Sequence, residues 1–251
     1  MERFKNKKEK EIYQAKIEFF TNIAHEIQSP LTLIQGPVER IMNKIDDVPS
    51  VKHSMQMISK NTNRLLALTT QLLDFRKTEI DQFGLSFVSL NIIHTLRQEI
   101  SIYKPQIDRK KLIFEFKIPE NASLVAFVDH EAFNKIIGNL LSNAIKYAAS
   151  YITVAIKIMD EADNQFVIQF INDGSPISGE FKEKIFEPFY RLRRHMDKPG
   201  TGIGLSLARS LAELHNGSLN LMETSEQMII FELRLPVHHS IEFSLTKWKK
   251  I

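Results

Sequence analysis

Of the eight histidines in this 251-residue chain, His25 has neighbours that suit its imidazole to act as a nucleophile. Glu26 follows it directly, and a carboxylate beside an imidazole can hold the tautomer and take the ring proton while the other nitrogen attacks. Ser29 stands one helical turn further on the same face, where a hydroxyl can orient a water. Pro30 lacks an N–H and clashes with the carbonyl four residues back, so the helix is expected to bend just after the histidine.

A second group is Asn139, Asn143, Lys146 and Tyr147, spaced i, i+4, i+7 and i+8, which puts all four on one helix face. Amide oxygens and an ammonium aligned in this way suit a nucleotide, because Mg2+ takes oxygen ligands and shares them with phosphates while lysine adds positive charge. A third signal is Gly200-Thr201-Gly202-Ile203-Gly204-Leu205, which opens a helix ending near His215-Asn216-Gly217. Glycines let backbone approach phosphate, and helix N-termini present N–H groups to anions. Taken singly, each group has an ordinary counterpart: a surface histidine, the polar side of an amphipathic helix, a structural turn.

The elements that position these groups follow from hydrophobic spacing. Ile23, Ile27, Leu31, Ile34, Val38, Ile41 and Ile45 step by three and four, the pattern of a helix that packs on helices. His25 lies about 200° around that helix from Ile23 and faces away from the stripe. Asp46 to Ser50 breaks the pattern, which resumes through Met55, Ile58, Thr62, Leu65, Thr69 and Leu72. Residues 1–82 therefore read as a helical hairpin, which buries too little alone and is expected to form a four-helix bundle with a second copy.

Residues 83–238 differ in kind. Leu90 to Ile102 and Leu205 to Leu214 have helical periodicity, and Asp129 can cap a helix running to Ala148. Leu112 to Ile118, Ile152 to Ile158, Phe166 to Ile171, Leu219 to Leu221 and Met228 to Leu235 read as strands. The class is α+β: a helical hairpin followed by an α/β sandwich, with residues 239–251 as a tail.

Composition sets limits on function. Apolar residues make up 43% and charged residues 25%, which is globular rather than disordered. There is no cysteine, so neither disulfides nor thiolate metal sites contribute. No apolar run reaches the ~20 residues that cross a bilayer. The net charge of +3, with lysines and glutamates interleaved near the N-terminus, gives no footprint for nucleic acid. Lysines at that end fit a segment on the cytoplasmic side of a membrane span.

The run Phe19-Phe20-Thr21-Asn22-Ile23-Ala24-His25-Glu26-Ile27-Gln28-Ser29-Pro30-Leu31 resembles the phosphoacceptor box of sensor histidine kinases, with Gln28 and Ser29 where arginine and threonine are usual. Asn139 to Tyr147 resembles the N box of the GHKL ATPases. The resemblance makes Asn143, with Asn139, the Mg2+ ligand, and puts Lys146 on phosphate and Tyr147 near the base. Asn139 stands where hydrolysing members carry a water-activating glutamate, which favours phosphotransfer.

Gly200 to Leu205 is similar to the second glycine box, with Leu192 to Pro199 as a short lid. Phe186-Glu187-Pro188-Phe189-Tyr190-Arg191 is similar to the F box, with Arg191 toward the γ-phosphate. Asn172-Asp173-Gly174-Ser175-Pro176-Ile177 is similar to the first glycine box; Asn172 falls at the adenine-binding position, Asp173 can serve there after a one-residue shift, and Pro176 stiffens the loop.

The resemblance covers residues 12–236, and the run Phe19 to Ile27 is especially similar to the kinase cores of hybrid two-component sensors. It implies ATP and Mg2+ as cofactors, a homodimer, autophosphorylation of His25, and a response-regulator receiver as acceptor, on the cytoplasmic portion of an inner-membrane sensor. The alternatives are a dimeric scaffold that transfers nothing, or a GHKL ATPase or serine kinase that has no need of His25.

Overall fold

Three-and-four spacing of apolar residues produces helices at the N-terminal end, and two-residue alternation produces the sheet that follows. A computed structural model describes residues 27, 30–41, 48–79, 84–118, 123–158, 164–192, 200–222 and 228–238. They form two compact units. One comprises the described residues up to Arg76 together with 200–203, and the other those from Lys77 onward apart from that short segment.

The helical unit contains α1 (residues 30–41) and α2 (Val48–Glu79). The expected seam divides between two faces. On α1, Pro30 and Pro37 are buried and Ile34 and Ile41 half-buried, while Leu31 and Val38, one heptad apart, stay exposed. On α2, Ser54, Asn61 and Phe75 are buried, whereas Met55, Leu66 and Leu73 are 58%, 65% and 62% exposed. At about 100° per residue, Met55, Thr62, Leu66 and Leu73 fall within about 40° of one line, and the buried face lies about 100–160° round from it. Each helix therefore has one face covered within the unit and a second, apolar face that is exposed.

The α/β unit begins with β1 (Phe87–Asn91), α3 (Ile92–Arg109), β2 (Ile113–Lys117), β3 (Val125–Asp129) and α4 (His130–Tyr147). It continues with β4 (Tyr151–Ile158), β5 (Gln165–Asn172), α5 (Gly204–Leu214), β6 (Ser218–Met222) and β7 (Ile229–Pro236). Five strands form a mixed sheet in the order β2-β4-β5-β7-β6, parallel only between β2 and β4, and β1 pairs with β3 in a separate antiparallel ribbon. Alternation along β5 turns Phe166, Ile168, Phe170 and Asn172 to one face. The three apolar members meet the helix layer, where Ile136, Ile137, Leu140 and Leu141 of α4 are fully buried. Side chains of this size each contribute about 1.5–3 kcal/mol on burial, which fixes the face α4 must present.

Three features depart from the sequence expectation. Helix α3 runs on to Arg109 through Pro105, because Ile107 behind the proline is completely buried while Pro105 is exposed. Strand β1 ends directly at the helix cap Asn91, so its last apolar residues blend into the helical periodicity. Strand β3 is likewise hidden by Asp129, which ends the strand and caps α4 at once.

Candidate functional site

Helix α4 starts where the Asp129 carboxylate accepts the Ala132 N–H at 2.8 Å, and its apolar side is held by the core. The polar residues Asn139, Asn143, Lys146 and Tyr147 then occupy the half-buried edge. Asn139 Nδ2 donates to Lys135 O at 2.9 Å, which fixes the amide and turns its oxygen the other way. That oxygen lies 2.7 Å from the point a Cβ on Gly204 would occupy, so any side chain there would collide with it. The start of α5 thereby abuts the amide of Asn139. Lys146 Nζ sits 4.8 Å from the centre of the Tyr147 ring, and Lys110 Nζ donates to Ile145 O at 2.7 Å near the C-terminal end of α4.

The turn after β5 separates two neighbours that the sequence left as alternatives. The Asp173 carboxylate accepts the N–H groups of Ala149, Ser150 and Tyr151, each at 3.0 Å, and the Ser150 hydroxyl at 2.5 Å. Partial burial pushes this carboxyl up, but the hydrogen bonds from Ser150, Tyr151 and Ala149 outweigh it and hold the group down to about 2. Asn172 is 2% exposed, and its buried Nδ2 has no hydrogen-bond partner. A Cβ on Gly174 would lie 2.5 Å from Tyr147 O and 2.8 Å from that Nδ2. An orphaned buried amide and two glycines that leave no room for a side chain are what a planar, hydrogen-bonding ligand with phosphates would require.

Phe186 is buried in the segment before the lid, Arg191 is half-buried, and Phe189 adopts φ 68°, a left-handed conformation rare for an aromatic residue. Arg209 holds this segment and was not anticipated from sequence. Its guanidinium lies 3.5 Å from the Phe186 ring centre, bonds Glu183 at 2.7 Å, and donates to Leu219 O at 3.0 Å. A lone arginine on an amphipathic helix gives no signal of such a role. The Glu183 carboxyl is lowered by that hydrogen bond and by the charge of Arg209.

Of the remaining expected residues, Gly204 and Leu205 open α5, while Gly200, Thr201 and Gly202 group with the helical unit. Gly200 and Gly202 have φ 152° and 76°, values that glycine alone adopts at ease, and the Ile203 N–H donates to Thr201 Oγ1 at 3.3 Å. His25, Glu26 and Ser29, the expected bend at Pro30, and most of the lid lie outside the described residues.

A mixed sheet backed by three helices, with an amide-and-lysine edge facing a glycine-opened helix, defines an ATPase-type α/β sandwich. Residues 128–239 match the family model for histidine kinase-, DNA gyrase B- and HSP90-like ATPases, and residues 15–79 match that for the His Kinase A phosphoacceptor domain. The chain belongs to the sensor histidine kinases, carrying their phosphoacceptor hairpin followed by their ATPase domain.

It is 33% identical over 243 residues to a histidine kinase of Formosa agariphila, covering 94% of this chain and 18% of that protein. Hybrid signal transduction histidine kinase D of Dictyostelium discoideum is 28% identical over 247 residues, covering 95% of this chain and 16% of that one. The solved histidine kinase ThkA, in complex with response regulator protein TrrA, aligns with a TM-score of 0.64 at 25% identity, covering 92% of this chain and 64% of that one. The chain thus spans less than a fifth of the length of these two curated relatives.

Proposed function

We propose that this chain is the kinase core of a two-component sensor, which transfers the γ-phosphate of ATP to its own His25. One ring nitrogen of His25 attacks the γ-phosphorus, the bond to the ADP oxygen breaks, and the proton on the other ring nitrogen passes to Glu26. Ser29 orients a water when the phosphoryl group is later hydrolysed. The observation that carries the proposal is the meeting of Asn139 with the glycine-opened start of α5, together with an orphaned buried amide at Asn172.

The donor set fits the expected ligands. Asn143 and Asn139 would hold Mg2+ through amide oxygens, and the ion supplies charge neutralisation at the phosphates. Lys146, Arg191 and the backbone of Gly200, Thr201, Gly202, Gly204 and Leu205 would bind phosphate oxygens, and Tyr147 would pack near the base. Asn172 takes the adenine, because Asp173 is fully engaged by the backbone of 149–151 and Gly174 keeps the approach open. The orphaned Asn172 Nδ2 can donate to a ring nitrogen of the base, and an amide oxygen accepts the bond a carboxylate would, without its charge. Catalysis is then mainly positioning and charge neutralisation.

The exposed stripe of Met55, Leu66 and Leu73 supports dimerisation with a second copy through the hairpin. The acceptor of the phosphoryl group is a receiver aspartate of a response regulator, consistent with the complex solved for ThkA. The full protein is an inner-membrane sensor with this core in the cytoplasm. Incubation with γ-labelled ATP and Mg2+ tests the assignment: acid-labile label that vanishes in His25→Ala is expected. Acid-stable label or free phosphate alone would indicate the ATPase or serine-kinase alternative, and no label a scaffold.

A further inference from the structure

His215 is completely buried, lies outside every role assigned above, and makes a bond at each ring nitrogen. Its Nδ1 is 2.7 Å from Leu211 O, in the last turn of α5, and its Nε2 is 3.1 Å from the backbone nitrogen of Asp129, the cap of α4. A carbonyl can only accept and an N–H only donate, so the ring is the neutral tautomer with its proton on Nδ1. The Phe87 ring stands edge-on at 5.4 Å, and the Asp129 carboxylate is occupied by the N–H groups of Ala132 and Ser86. The imidazole therefore bridges the backbone of two helices.

These two helices carry Asn139, Asn143, Lys146, Tyr147, Gly204 and Leu205 of the residues assigned to the nucleotide. They meet at a second point, where Asn139 abuts Gly204. Asn139 lies ten positions beyond Asp129 and His215 eleven positions beyond Gly204, in opposite directions. At a rise of 1.5 Å per residue both spans are about 15 Å, so α4 and α5 run antiparallel with one contact at each end. Apolar packing between them tolerates sliding more readily than a directional hydrogen bond does.

We infer that His215 is a positioning residue that pins the axial register of α5 against α4, and so holds the glycine-opened start of α5 opposite Asn139 for nucleotide binding. The inference rests on the kinase assignment for the identity of the ligand. Its geometric half, the bond from the Asp129 N–H, can be measured without ligand.

Two substitutions separate pinning from mere filling of space. In His215→Asn the amide nitrogen mimics Nδ1–H and keeps Leu211 O, but no acceptor reaches the Asp129 N–H. In His215→Gln the amide oxygen mimics Nε2 and keeps that acceptor. With the full chain, His215→Asn is expected to weaken Mg-ADP binding about tenfold by calorimetry, the loss for a register populated about one-tenth of the time. Exchange of the Asp129 amide should accelerate in step, while His215→Gln stays within about threefold of the parent in both readouts. Equal weakening in both variants, tracking only their melting temperatures, would overturn the inference, as would an unprotected Asp129 amide in the parent. If the parent itself binds no Mg-ADP while the exchange pattern holds, the kinase assignment fails and the positioning role goes with it.

Discussion

Asp173 shows how two adjacent polar residues acquire opposite tasks. Its carboxyl lies at about 2, below its ordinary 3.8, because four donors from residues 149–151 favour the charged form. A group depressed on folding stabilises the protein fully above its unfolded value, and the contribution fades as pH falls from about 4 towards 2. The shift corresponds to about 1–2 kcal/mol once partial solvent exposure is allowed for. Asp173→Asn should therefore lower the urea midpoint at pH 6, and the gap to the parent should narrow by pH 2.5; a gap that does not change with pH would contradict this origin. The sequence left Asn172 and Asp173 open because alternation tells which face a strand residue takes only once the strand's end is known. With β5 ending at Asn172, that residue shares the face of Phe166, Ile168 and Phe170.

At the scale of elements, the polar face of α4 and the glycine start of α5 were legible, since helical spacing and glycine runs are local signals. Strands β1 and β3 were not, because Asn91 and Asp129 each end a five-residue strand and cap the following helix, leaving no turn between. The end of α5 was read correctly and has a specific construction. Asn216 N–H donates to Glu213 O at 2.8 Å and Gly217 N–H to Ala212 O at 2.9 Å, with Asn216 at φ 57°. This is a Schellman ending with asparagine in the left-handed position. Asn216→Gly should leave stability unchanged or slightly higher, whereas Asn216→Ala should cost about 1 kcal/mol by thermal denaturation. Equal melting temperatures in the two variants would mean that the left-handed conformation is not maintained in solution. Because this ending also sets the backbone from which His215 projects, the two substitutions affect neighbouring features of one joint.

For the whole molecule, the heptad pattern announced a helical hairpin but merged two faces into one seam. Leu31 and Val38 belong to a different face from Ile34 and Ile41, and only burial separates them. In the proposed dimer the outward face of α2 receives the second copy, so Leu66→Glu with Leu73→Glu should raise the dimer dissociation constant at least about a hundredfold, at ~1.5–3 kcal/mol for each large apolar side chain. Light scattering during gel filtration would report this, and an unchanged dimer would place the interface elsewhere. The proposed phosphotransfer draws on the hairpin for its nucleophile and on the α/β unit for its nucleotide, so it requires both units. The most direct measurement is fragment mass spectrometry at alkaline pH after incubation with Mg-ATP. A single phosphoryl group on His25, absent in Asn143→Ala, is the predicted result; phosphate on a serine or threonine, or an unmodified chain after ATP has demonstrably bound, would contradict the account.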